Sequence, residues 1–223
     1  YFKNKYYKEA FGVFKLREAH IFPDATLYQK MGYCQQRLGN TEQAITYYEQ
    51  SELLIGNNAW TTKRLAVAHK QLGDYFRRLD AMQPDRFSTV MNIGQCLMAL
   101  GKYEEAAKAF YKAQYLDENS DKPMRPLAWS LLMQKDFDGA QNIYDRIIDT
   151  GAQPLDYLNR GHVALARQDY RTAISYYSRF ITASPDRWAG FIREMSDDRE
   201  ALRRLGVDEK MLPLVIDAVR YVE

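Results

Sequence analysis

Apolar and small residues recur along the chain at the three-to-four residue spacing of amphipathic helices, in segments of about 12 to 17 residues. Short turns that contain glycine or polar residues separate these segments. Five turns follow one another at similar distances: Leu38-Gly39-Asn40, Leu72-Gly73-Asp74, Leu100-Gly101-Lys102, Gln134-Lys135-Asp136 and Arg167-Gln168-Asp169. Their central residues lie 34, 28, 34 and 33 positions apart. A period of this size predicts a helical repeat protein.

Two further series follow the same period. Small residues stand seven positions before the turn centres: Gly32, Ala66, Gly94, Ala128 and Gly161. A small residue and an aromatic residue four positions later follow four of the turns: Ala44 and Tyr48, Ala106 and Phe110, Ala140 and Tyr144, Ala173 and Tyr177. Because residues four apart share a helix face, each repeat is predicted to be two amphipathic helices that approach closely at the small residues.

These residues resemble the tetratricopeptide repeat (TPR) family, whose unit of 34 residues carries the same glycine, alanine, aromatic and proline positions. The clearest copy is residues 87–120, with Ile93-Gly94, the run Gly101-Lys102-Tyr103-Glu104-Glu105-Ala106, and Phe110. The resemblance implies an all-α fold, a right-handed superhelical solenoid of antiparallel helix pairs, and we expect a bacterial source. Coiled-coil heptads do not fit, because Gly and Pro interrupt every helical run.

The predicted organisation has three parts. Residues 1–24 supply the second helix of a partial repeat, and residues 188–223 form C-terminal capping helices, one ending at Gly206 and one running from Glu209 to about Val222. A cap over the last repeat is favoured over a separate functional domain, because repeat arrays need terminal caps. The five repeats between these parts are residues 25–58, 59–86, 87–120, 121–153 and 154–187.

Two repeats depart from the pattern. In residues 121–153, Lys135 replaces the turn glycine, and Pro123 and Pro126 are expected to delay the first helix until about Pro126. The repeat at 59–86 is six residues short, and the pattern resumes in phase on both sides of Tyr75 and Phe76. We considered two explanations: six residues of the real chain are omitted at this point, or the second helix is naturally shortened.

Composition narrows the class of protein. The chain has 223 residues, 46% of them apolar and 27% charged, which favours a folded core over disorder. Its longest apolar runs are far below the roughly 20 residues that cross a bilayer, so no membrane insertion is expected. It opens on Tyr1 rather than Met, so we expect a fragment whose cellular compartment the sequence leaves open. The net charge is only +2, so the chain as a whole is not expected to attract charged partners strongly. Positive and negative residues can still be segregated locally.

Catalytic and metal-binding motifs do not occur in the sequence, and no enzyme activity, cofactor or metal is expected. The three histidines, His20, His69 and His162, lie far apart and are expected on helix surfaces or in the groove rather than as metal ligands. Cys34 and Cys96 share one position of their repeats, and we expect both to be buried packing residues rather than a redox pair.

The resemblance implies that the first helices of successive repeats line a concave groove for a peptide or a partner helix. Of thirty side chains at the groove positions, seven are Lys or Arg and none is acidic, which predicts a positive groove. The residues expected to bind are Lys30, Tyr33, Arg37, Trp60, Lys63, Arg64, Lys70, Asn92, Gln95, Lys122, Arg125 and Trp129. The groove of the later repeats is apolar and is either a second binding surface or covered by the C-terminal helices.

The favoured function is a non-catalytic protein-interaction scaffold that binds an acidic or carboxylate-bearing peptide. A five-residue clamp that some family members use for chaperone C-termini matches only at Lys63, Asn92 and Lys122, so chaperone-tail binding is not expected. An architectural or self-association module stays open as an alternative, with homo-oligomers possible in that case. Single-stranded nucleic acid is a weaker alternative because the net charge is nearly neutral. No small-molecule substrate is expected.

Overall fold

The computed structural model describes residues 6–20, 24–56 and 58–221, and predictions for the other residues lie outside this range. All regular secondary structure in the described residues is helical, which confirms the predicted all-α class. The chain divides into two compact units, an N-terminal unit of residues 1–102 and a C-terminal unit of residues 103–223. The repeat predicted at 87–120 contributes one helix to each unit.

The N-terminal unit has five described helices, each packed on the next. They are α1 (Tyr7–His20), α2 (Ala25–Arg37), α3 (Thr41–Ile55), α4 (Ala59–Met82) and α5 (Phe87–Ala99). Asp24 caps α2 by accepting a hydrogen bond from the Leu27 amide at 2.7 Å, and Asn58 caps α4 in the same way through the Trp60 amide at 2.9 Å. These side chains satisfy backbone donors that the first helical turn leaves free.

The C-terminal unit has eight described helices: α6 (Tyr103–Leu116), α7 (Met124–Met133), α8 (Phe137–Gly151), α9 (Pro154–Ala166), α10 (Tyr170–Ala183), α11 (Arg187–Asp197), α12 (Arg199–Leu205) and α13 (Met211–Arg220). Helices α6 to α10 pack in chain order, and α11 and α13 pack on α10. The predicted cap, residues 188–223, contains one helix more than the sequence indicated, and its role as a cap stays a prediction. Gly206 ends α12 in the left-handed conformation, with φ of 92°.

Close approach of paired helices depends on glycine facing tyrosine. A Cβ added to Gly32 would lie 2.7 Å from the Tyr48 ring, and one added to Gly161 would lie 2.4 Å from the Tyr177 ring. Both tyrosines are fully buried. The small residues and the aromatics of the repeat pattern thus meet across the two helices of one repeat, so the pattern encodes helix contact directly.

Four of the turns between consecutive helices have a residue with positive φ. Gly39 and Gly101 supply it with φ of 86° and 72°. Lys135 and Gln168 hold the same place with φ of 65° and 62°, although a side chain makes that conformation costly by about 1 kcal/mol. The turn therefore keeps its positive φ at the positions where another residue replaces glycine.

The short repeat is where the structure departs from the pattern. A turn was expected at Gly73, but α4 continues through it as one helix of 24 residues, and Gly73 has no positive φ. Tyr75 and Phe76 are consecutive residues of this helix, so the repeat has no separate second helix and does not fold back. The physical reason is that the few residues after Gly73 cannot form a second helix of ordinary length. That the gene encodes six more residues here stays a prediction, which sequencing checks.

Candidate functional site

The structure brings seven of the predicted binding residues to one face of the N-terminal unit. They lie on α2 and α4: Lys30, Tyr33, Arg37, Trp60, Lys63, Arg64 and Lys70. Two side-chain hydrogen bonds join the helices along this face, from Gln29 to Thr61 at 2.9 Å and from Gln36 to Gln71 at 3.1 Å. We call this surface the basic face.

Aromatic rings hold two of its guanidinium groups. The Arg64 guanidinium lies over the rings of Tyr33 and Trp60, 4.9 and 5.2 Å from their centroids. Arg37 lies 5.6 Å over the ring of Tyr7, which itself meets the Tyr33 ring edge-on at 5.9 Å. Each such contact contributes about 0.5–1 kcal/mol at an exposed site, so the arginines are positioned before any ligand arrives.

The basic cations lack acidic partners within the described part of the chain. None of Lys30, Arg37, Lys63, Arg64 and Lys70 forms an ion pair there. Several arginines elsewhere are paired with carboxylates, and those of the C-terminal unit include Arg125, Arg160, Arg167, Arg193, Arg203 and Arg204. The basic face therefore concentrates positive charge that the fold does not neutralise.

Sequence reasoning missed Arg78, which extends the basic face. It is exposed and lies eighteen positions after Trp60, five full turns of α4, so the two residues share one line on the helix. Arg78 has no ion pair among the described residues. The sequence pattern did not indicate Arg78 because a turn was expected at Gly73. A chain that folded back there would place Arg78 on another surface. The neighbouring Asp74 is paired with Arg77 at 3.1 Å.

Asn92 and Gln95 do not join the basic face. They line a cavity of about 260 Å³ between α3, α4 and α5, together with Leu72 of α4. Leu72 follows Lys63 by nine positions, a rotation of about 180° around α4, so the cavity and the basic face lie on opposite sides of this helix. Asn92, Gln95 and Lys63 were expected in one groove because that prediction rested on a regular second repeat.

Three of the predicted binding residues, Lys122, Arg125 and Trp129, lie in the C-terminal unit. Arg125 is paired there with a carboxylate of the chain itself. Its guanidinium donates to both carboxylate oxygens of buried Asp156, with a shortest distance of 2.9 Å, and to the Gly151 carbonyl at 3.2 Å. Asp156 also accepts from the Gln153 amide at 2.7 Å, so the pair fixes the start of α9. Lys122 is exposed and Trp129 half-buried.

The C-terminal helices cover the apolar groove of the later repeats. Helix α12 packs against α7 and α9, the first helices of the last two repeats. Leu132, Leu158 and Leu165, at predicted groove positions, are fully buried. His162 is buried with them and lies 3.1 Å from an Asp198 oxygen, so the alternative of an open second surface is wrong.

Other candidate chemistry is limited within the described residues. Cys34 and Cys96 are both buried free thiols, as predicted, and burial raises the pKa of each to about 11. No group of three metal-ligating side chains converges in the described ranges. No described helix combines the length and the apolar character required to span a membrane.

Comparisons with known proteins match the repeat pattern. One model of the tetratricopeptide repeat family matches residues 53–122 and 125–187, and a second model of the same family matches residues 25–58. The matched residues together are well over half of the chain. No curated protein matches significantly.

Two solved structures illustrate the likeness of fold. One is YrrB, described as a TPR protein with an unusual peptide-binding site. It is 17% identical, with a TM-score of 0.51, and the alignment covers 77% of this chain and 92% of YrrB. The other is the C-terminal part of a TPR protein from Cytophaga hutchinsonii, 17% identical with a TM-score of 0.50 over 98% of this chain and 89% of that one. At this identity the likeness concerns the fold alone.

Proposed function

Because the chain belongs to the tetratricopeptide repeat family, whose members generally act as protein-interaction scaffolds, we propose that it is a non-catalytic scaffold whose basic face binds an acidic peptide segment of a partner protein. The observation that carries this proposal is the clustering of cations without ion pairs on one face of α2 and α4, where two of the guanidinium groups lie over aromatic rings. A partner's carboxylates would form charge-assisted hydrogen bonds with them.

The preorganised side chains support a specific site. Stacking on Tyr33 and Trp60 restricts the Arg64 guanidinium, so less conformational entropy is lost when a carboxylate binds. Trp60 and Val67 are 42% and 39% exposed on the same helix face and offer apolar contact between the charges. The basic face therefore suits a segment that presents both acidic and apolar side chains on the same side.

The length of the face sets the length of the ligand. From Trp60 to Arg78, α4 rises about 27 Å, at 1.5 Å per residue. An extended peptide spans about 3.3 Å per residue, so about eight residues cover this distance. A peptide of about ten residues is therefore a suitable probe.

The test is a fluorescence-anisotropy titration of the intact chain. One labelled peptide of about ten residues alternates pairs of glutamates with pairs of leucines, so that each side of the extended peptide carries both side-chain types, and a second peptide replaces glutamate by lysine. We expect binding of the acidic peptide alone, weakened at least about tenfold by Lys63→Glu with Arg64→Glu. The matched control reverses Arg146 and Arg171, which are exposed on the C-terminal unit, with the same change in net charge.

Three results would contradict the proposal. The first is equal binding of the two peptides, and the second is an equal loss in the control variant, which would indicate non-specific charge attraction. The third is tighter binding of a single-stranded oligonucleotide than of the acidic peptide, with the steep salt dependence of phosphate contacts.

A further inference from the structure

The cavity of about 260 Å³ between α3, α4 and α5 belongs to the irregular repeat of this chain. In the other repeats a second helix follows the first, but α4 has no second helix of its own, so α3 and α5 both pack directly on it. Ala66 shows the consequence. The equivalent residues Gly32 and Gly161 are buried against a tyrosine of their second helices, whereas Ala66 is exposed. The cavity therefore occurs where the regular packing of the repeats is interrupted.

One part of the cavity lining is apolar. Ile45 of α3 and Phe76 of α4 are buried, and Leu72 of α4 is half-buried. Side chains of this kind take up the apolar or aromatic body of a ligand. The volume lies just below the range of about 300–1,000 Å³ that is usual for small-molecule sites, so the cavity suits a compact ligand.

The other part of the lining carries polar groups whose hydrogen-bonding capacity the fold does not use. Within the described residues, the exposed Glu42 carboxylate forms no ion pair, and the side-chain amides of Asn92 and Gln95 form no hydrogen bond. Burial lowers the pKa of His69, so its imidazole is mainly neutral at pH 7 and retains one nitrogen that accepts a hydrogen bond. The cavity therefore offers several acceptors to a ligand that carries donors.

The charge of the lining favours a cation. Glu42 is the one ionised side chain among the described lining residues, because burial raises the pKa of the Cys96 thiol to about 11 and keeps it neutral. The nearby Arg77 is paired with Asp74 at 3.1 Å. An anionic ligand would be repelled by Glu42, and no set of three metal-ligating side chains converges in the described part of the chain. An organic cation with an apolar body fits both halves of the lining.

We propose that this cavity binds a small organic cation, whose ammonium or guanidinium group pairs with Glu42 and donates hydrogen bonds to Asn92 and Gln95 while its apolar body contacts Phe76. Such a group is supplied either by a free amine or by a lysine or arginine side chain of a partner, and the experiment separates these two sources. The cavity lies on the opposite side of α4 from the basic face and does not depend on the function proposed for that face.

The experiment is a titration of the intact chain followed by proton–nitrogen correlation NMR, which detects the side-chain amides of Asn92 and Gln95. The probe is benzylamine, which carries an ammonium group on an aromatic body. Benzyl alcohol is the neutral control and benzoate the anionic control, and a capped Gly-Lys-Gly tripeptide represents the side chain of a partner. The variant is Glu42→Gln. The matched control variant is Glu49→Gln, which removes an exposed carboxylate of the same helix outside the cavity.

We expect benzylamine to shift both amide signals and to bind with a dissociation constant of about 1 mM, as a ligand of this small size allows. Benzyl alcohol should bind at least about tenfold more weakly, and Glu42→Gln should weaken benzylamine binding to a similar extent, because each change removes a charge-assisted hydrogen bond. Glu49→Gln should leave the affinity unchanged, and benzoate should not bind.

Tighter binding of the tripeptide than of benzylamine would assign the cavity to the side chain of a partner, and the reverse order would assign it to a free amine. Three results would overturn the proposal: equal binding of benzylamine and benzyl alcohol, an equal loss in the two glutamate variants, or no shift of the Asn92 and Gln95 amides with either cationic probe. Binding of the acidic peptide to the basic face is unaffected by any of these results.

Discussion

Replacement of Gly161 by alanine should destabilise the C-terminal unit, although alanine is the better helix former. The added Cβ would lie 2.4 Å from Tyr177 Cε1 and 2.7 Å from Cδ1. Carbon atoms in ordinary contact stay about 3.5–4.0 Å apart, so the tyrosine ring must move by about 1 Å. The ring is completely buried and packs 5.2 Å from the Phe191 ring, which leaves it little space.

Three effects set the expected change in the free energy of unfolding, of which two destabilise the fold and one stabilises it. Overpacking of a filled core costs about 1–3 kcal/mol. Movement of the ring also weakens the hydrogen bond between the Tyr177 hydroxyl and His162, whose contribution is about 1 kcal/mol. Alanine returns about 1 kcal/mol through its helix propensity. Gly161→Ala should therefore lower the free energy of unfolding by about 1–3 kcal/mol.

Urea unfolding followed by circular dichroism measures this effect. Gly12→Ala in α1 is the matched control, because nothing lies within 4 Å of its added Cβ, and it should stabilise by about 0.5–1 kcal/mol. A second variant, Gly161→Ala with Tyr177→Leu, should lose less than the sum of its parts, because the smaller side chain removes the clash. If Gly161→Ala alone proved as stable as the unmodified chain, the reasoning about helix contact would be refuted.

Two further predictions concern the N-terminal unit. Amide hydrogen exchange at residues 72–77 should be as slow as in the middle of other helices, because α4 continues through Gly73, and fast exchange there would indicate the turn that the repeat pattern expected. Burial raises the pKa of Cys34 and Cys96 to about 11, so the unfolded thiols ionise first as pH rises. Their contribution to stability is complete below about pH 8.5 and is lost towards pH 11. The urea midpoint should fall over this interval, and less so in a variant with alanine at both positions, whereas equal falls would contradict the burial.

The period in the sequence was sufficient for the fold class and for most helix positions. Small residues and aromatics carry this information, because each Gly–Tyr contact such as Gly161 with Tyr177 is made within one repeat. Such local contacts leave a trace at fixed spacing, and that trace can be read without knowledge of the rest of the molecule. The sequence predicts a cap after residue 187 for the same reason, since the period stops there.

The candidate site was predicted only in part. The spacing of Lys30, Lys63 and Arg64 put them on one surface, and the structure agrees because α2 and the start of α4 follow the regular pattern. Asn92 and Gln95 lie away from the basic face and Arg78 was not predicted, because these positions depend on what α4 does after Gly73. A helix that fails to turn rotates every later side chain relative to its neighbours, and no local signal reports this.

The sequence by itself determined the repeated helix pairs, the buried cysteines and the excess of positive charge at the groove positions. Only the tertiary structure decided which cations are available and which groove is open. Arg125 is neutralised by Asp156, thirty-one residues later, and α12 fills the surface of α7 and α9. Both outcomes depend on contacts between residues distant in the chain, where burial and pairing are set by packing rather than by spacing.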